Sequence, residues 1–84
     1  MPTVIIGREI ARRFTADQTN LEINEGADNI RALIRTLDAT YPGIGVVLST
    51  DMAVAIDGVI YQGSMLEPTA HAREVCFMPA IEGG

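Results

Sequence analysis

Thr3, Val4, Ile5 and Ile6 form a short continuous apolar run rich in β-branched side chains, the pattern of a strand buried on both faces. Asn20, Leu21, Glu22 and Ile23 alternate instead, which puts Leu21 and Ile23 on one face of a second strand. Residues 7–19 between them are polar and carry Arg8, Arg12 and Arg13. They read as a long, partly irregular hairpin connection, with Phe14 tucked back onto the core. The period then changes. Ile30, Leu33, Ile34, Leu37 and Tyr41 recur at i, i+3, i+4, i+7 and i+11, one apolar stripe on a helix over about 29–39. Asp28 is placed to cap its start, Arg31, Arg35 and Asp38 face away, and Pro42-Gly43 ends it. Residues 44–51 read as an irregular crossing segment that sends Ile44, Val46, Val47 and Leu48 to the core.

The strongest local signal follows. Met52 to Ile56 and Val59 to Tyr61 are apolar runs separated by Asp57-Gly58, the signature of a two-residue type I′ hairpin. Such a turn sets Ile56 opposite Val59, Ala55 opposite Ile60 and Val54 opposite Tyr61. Residues 62–73 form a loop with Gly63, Pro68 and the lone His71, and Glu74 to Met78 is the last strand. Pro79 has no N–H to give a ladder and marks the end of regular pairing. Alternation in the last strand places Glu74, Cys76 and Met78 on one face and Val75 and Phe77 on the other. The charge on Glu74 assigns its face outward. Ala53 and Ala55 are small beside Val54, Ile56 and Val59, which are taken as the core face, so Ile60 points outward as well. Ile60, Cys76 and Met78 then form an exposed apolar patch, the usual mark of a binding surface. The order β-β-α-β-β with one amphipathic helix is an α+β sandwich of two layers.

Composition narrows the function. Eighty-four residues make one small domain with no room for a large enclosed cavity, so its chemistry is expected to be shared with a partner. The formal charge of -5 argues against nucleic acid and for an electropositive protein partner. The single cysteine excludes an internal disulfide and fits a reducing cytoplasm. No run is long and apolar enough for a membrane span, and the first ten residues lack the plan of a signal peptide. All six basic residues are arginine, so the chain has no lysine amine to capture an activated carboxylate of its own.

The helix followed by Tyr41-Pro42-Gly43, the Ala53-Val54-Ala55-Ile56-Asp57-Gly58 hairpin, and the closing Glu74-Val75-Cys76-Phe77-Met78-Pro79-Ala80-Ile81-Glu82-Gly83-Gly84 together resemble the ubiquitin-like sulfur carriers. These include the molybdopterin synthase small subunit and the thiamine-pathway carrier. The resemblance implies a β-grasp fold over 1–79, with the first and last strands parallel at the centre of the sheet, and a flexible tail over 80–84. It also implies a chemistry. An E1-like enzyme uses ATP to adenylate the carboxylate of Gly84, and sulfur transfer then gives a thiocarboxylate that a synthase subunit or other acceptor consumes. On this reading Gly84 and Gly83 carry the reacting group. Ile60, Cys76, Met78, Pro79, Ala80, Ile81 and Glu82 meet the partner. The chain is a carrier, not an enzyme, and holds no cofactor of its own. Two departures from the family stand out: Ala80 replaces a frequent second proline, and the arginine-rich segment 7–19 is longer than in a compact thiamine-type carrier. The latter favours the molybdopterin type, with cysteine and other sulfur pathways open.

Other chemistries find less support. One histidine and one cysteine offer no metal spacing, and no glycine-rich phosphate loop is present. A protein modifier that acylates lysines would have the same fold and tail, and a plain interaction module with a frayed end would need neither glycine.

Overall fold

The computed structural model describes residues 2–50, 52–63 and 65–80. Five strands form one sheet: β1 (Thr3–Ile5), β2 (Asn20–Glu22), β3 (Met52–Ile56), β4 (Val59–Gln62) and β5 (Glu74–Pro79). Its order is β2-β1-β5-β3-β4. β1 and β5 run parallel, with Val4 beside Val75, and every other pairing is antiparallel. This is the β-grasp arrangement expected from the resemblance, an α+β fold with the last strand at the sheet's centre.

Three helices accompany the sheet: α1 (Arg8–Phe14), α2 (Ile30–Thr40) and α3 (Ile44–Leu48). The apolar stripe of α2 folds as read, for Ile30, Leu33, Ile34 and Leu37 are buried and Tyr41 is half-buried. That stripe shares one core with Val4, Leu21, Val54, Val75 and Phe77 from the inner face of the sheet. The inner face runs in register as Leu21, Val4, Val75, Ile56, Val59, with Phe77, Val54, Tyr61 as a second row.

Several expectations need correction. The connection over 7–19 joins a hairpin as read, but residues 8–14 of it form a helix, because Ile10 and Ala11 are buried and Phe14 packs half-buried on the core, at spacings that fit one face of a short helix. Three arginines within seven residues hid that face. The cap of α2 is Asn29 rather than Asp28: its Oδ1 accepts the Ala32 N–H at 2.8 Å. Asp38 does not simply face away. It is half-buried, and its Oδ1 accepts the N–H groups of Gly43 at 3.1 Å and Gly45 at 2.9 Å. These bonds hold the start of α3, where Gly43 takes φ 99°, a left-handed conformation that suits glycine. The segment after Gly43 is therefore a short helix. It buries Ile44 and Leu48 and half-buries Val47, but it leaves Val46 73% exposed instead of in the core. β1 is fully buried on one side only, at Val4, with Ile6 buried just beyond its end, while Thr3 and Ile5 are half-buried. Val59, taken as a core residue, is 55% exposed although it lies on the inner face. Burial fades along its row from Val75 through half-buried Ile56 to Val59, because β4 is the edge strand and α2 packs over the centre.

The hairpin forms with the register read from the sequence. Asp57 has φ 48° and Gly58 φ 87°, both positive as a type I′ turn requires. Asp57 also ties the turn to β5. Its Oδ1 accepts from the N–H groups of Arg73 and Glu74, each at 3.0 Å, and its own N–H donates to the Glu74 carbonyl.

Candidate functional site

Every second residue of β5 points away from the helices, and the sheet register shows what each one meets. Cys76 lies between Ile5 of β1 and Ala55 of β3, and Ala55 lies opposite Ile60 of β4. Asn20 completes this row at the far edge, opposite Ile5. An apolar line of Ile5, Cys76, Ala55 and Ile60 therefore crosses four strands on the outer face. One step toward the end of β5, Met78 lies opposite Ala53, and Ala53 opposite Gln62. One step the other way is a polar row, where Glu22 pairs with Thr3 and Thr3 with Glu74.

The face assignment made from the sequence holds: Val75 and Phe77 are buried, whereas Glu74 is exposed. Ile60 is 51% exposed, and Cys76 and Met78 are half-buried. The partial cover of Cys76 and Met78 follows from their central position, since each has a strand on both sides. Ile5 and Ala55 belong to the same line and were not singled out from the sequence. The signal for Ala55 was present in the hairpin pairing; that for Ile5 required the parallel register of β1 with β5, which joins segments about seventy residues apart in sequence. Ala53 is on the outer face as read yet fully buried, because it is small and flanked by Met78 and Gln62.

Burial first, and then the Glu74 carboxylate, push the Cys76 thiol above its ordinary value of 9.0. A thiol held neutral is a weak nucleophile, so Cys76 serves the line as a small apolar group. His71 is exposed in the 62–73 loop. Among the described residues no group of three or more His, Cys, Asp or Glu could hold a metal ion, and no helix is long and apolar enough to cross a membrane.

β5 ends at Pro79, which lies opposite Met52, and Ala80 follows half-buried and outside the ladder. Both are at the end of the strand that carries Cys76 and Met78. Ile81, Glu82, Gly83 and Gly84, the remaining candidate site residues, lie outside the described residues. The site thus has two parts that meet on β5: an apolar line across four strands of the outer face, and the chain direction set by β5.

No protein-family model matches the sequence, and no curated protein matches it. Among solved structures, the crystal structure of Mycobacterium tuberculosis CysO, described as an antigen, is similar to this chain with a TM-score of 0.79. The two are 21% identical over 96% of this chain and 100% of that one. The likeness is one of fold and spans both chains nearly end to end.

Proposed function

We propose that this protein is a sulfur carrier that docks through the outer sheet face and delivers the Gly84 carboxylate, from the end of β5, to an E1-like enzyme. The observation that carries the reading is the placement of Cys76 and Met78, together with Ile60, on the outer face of the sheet whose central strand leads into Ala80 and the two glycines. The fold shared with CysO supports it.

The chemistry follows from the poor reactivity of a carboxylate. Attack of the Gly84 carboxylate on the α-phosphate of ATP, held by the partner, releases pyrophosphate and gives an acyl adenylate. A sulfur donor then displaces AMP and leaves a thiocarboxylate, a strong nucleophile held on a protein handle. Glycines at the two last positions are slim enough for a narrow channel. The acceptor in this reading is a synthase subunit of the molybdopterin type, on the strength of the arginine-rich α1 segment; cysteine-type and thiamine-type acceptors are the alternatives. The chain itself acts as cosubstrate in the cytoplasm and binds no cofactor.

The test is incubation with cell extract, ATP and a sulfur donor, followed by intact mass. Exchange of one oxygen for sulfur at the C-terminal residue is expected. Higher-mass conjugates would make the chain a modifier of other proteins, and an unchanged mass would leave an interaction module.

A further inference from the structure

Among the described residues, the charges at the two ends of the sheet differ in sign. At the start of β5 the row of Glu22, Thr3 and Glu74 is joined by Asp57, whose carboxylate is bound to the Arg73 and Glu74 N–H groups. Among the described residues, the carboxylates of Glu22, Glu74 and Asp57 gather there beside Arg73. The opposite end is where β5 finishes, and because β1 runs parallel to β5, β1 finishes there too. α1 begins three residues after β1, so Arg8 and Arg12 stand at the end from which the tail leaves. With Asp17 and Thr19 they line one open recess, at the β2 side of the sheet. Both arginines are exposed, and neither is held in an ion pair among the described residues. Residues 7–19 carry three arginines against two carboxylates in a chain whose formal charge is -5.

The two ends are far enough apart to act separately. From Glu74 to Pro79 the strand spans roughly 17 Å at about 3.3 Å per residue, twice the screening length of about 8 Å at physiological salt. β2 and β5 are two strand spacings apart, about 10 Å, so the arginines stand to one side of the end of β5. A partner that covers the apolar line and also takes the tail must wrap over that end of the sheet. The apolar line alone would permit several angles of approach, because apolar contact is not directional. Charges of opposite sign at the two ends remove that freedom.

Resting on the carrier reading, we infer that the adenylating partner docks in one orientation, with a basic surface against the Glu22, Glu74 and Asp57 end and an acidic lip, beside its tail channel, against Arg8 and Arg12. A second pair of exposed arginines, Arg31 and Arg35 on α2, has no place in this orientation and serves as the control.

The experiment is ATP–pyrophosphate exchange by the purified E1-like enzyme of the source organism, with the full-length chain as substrate at several salt concentrations. Arg8→Glu with Arg12→Glu should raise KM by about tenfold or more with kcat within about twofold, and flatten its salt dependence. Glu22→Arg with Glu74→Arg should do the same, while Arg31→Glu with Arg35→Glu should stay within about twofold of wild type. The milder pair Arg8→Ala and Arg12→Ala, checked by circular dichroism, separates lost charge from lost fold. Normal exchange by wild type and by both end variants would overturn this orientation and leave the carrier reading standing. No exchange by the wild-type chain would overturn the carrier reading and this inference with it.

Discussion

Phe77 and Cys76 are neighbours in β5 with opposite duties. Phe77 is buried in one core with the α2 stripe, so Phe77→Ala should cost about 3 to 5 kcal/mol, seen as a fall in the denaturant midpoint. A loss under about 1 kcal/mol would be inconsistent with that packing. Cys76 makes stability depend on pH in the alkaline range. Its thiol is pushed up by burial and then by Glu74, so the folded chain favours the protonated form more than the unfolded chain does. The stabilising contribution is complete below the ordinary value of 9.0 and is lost as pH rises through the folded value. Melts on both sides of that value should show wild type losing more stability than Cys76→Ala. A third prediction concerns Gly84. Its deletion leaves the same carboxylate on Gly83 but about 3.3 Å short, comparable to the whole separation of about 3 to 3.5 Å that reacting atoms need. Docking and melting should stay near wild type while pyrophosphate exchange is abolished.

At the level of elements, the hairpin turn is a fastener as well as a reversal. Asp57 tolerates φ 48° and also satisfies two N–H groups at the start of β5. Asp57→Ala removes that acceptor and places alanine in a left-handed conformation, so it should destabilise by about 1 to 3 kcal/mol. Asn keeps both the acceptor oxygen and the tolerance of positive φ, and Asp57→Asn should cost less than half as much in the same melts. Asp38 plays a comparable part for α3, receiving the Gly43 and Gly45 N–H groups. Both aspartates look from the sequence like ordinary turn or surface residues. Only the path of the backbone shows which donors they serve.

For the whole molecule, the outer face and the inner face are separable. Ile60→Asp with Met78→Asp places two charges on the outer face, away from the cluster that holds α2 to the sheet. The folded signal in circular dichroism should persist, and titration should show weaker binding to the adenylating enzyme. Unchanged affinity would mean that the partner binds elsewhere.

The sequence by itself determined what is local or periodic. The α2 stripe, the type I′ hairpin and its register, and the inward Val75 and Phe77 all follow from spacing within one or two turns or across a two-residue loop. The resemblance supplied the parallel pairing of the first and last strands. Tertiary structure alone decided matters where distant segments compete for cover. α1 was concealed because three arginines mask the short apolar face of Ile10, Ala11 and Phe14, which only the core behind it makes useful. Val46 and Val59 are apolar yet exposed, one on the open side of a short helix and one at a sheet edge. Hydrophobicity says that a residue gains from burial, not that a neighbour is present to bury it. For the same reason the apolar line on the outer face was half legible. Cys76, Met78 and Ile60 could be assigned from alternation and the hairpin. Ile5 joined them only when parallel pairing brought β1 beside β5, a pairing that has no counterpart in the linear order of the chain.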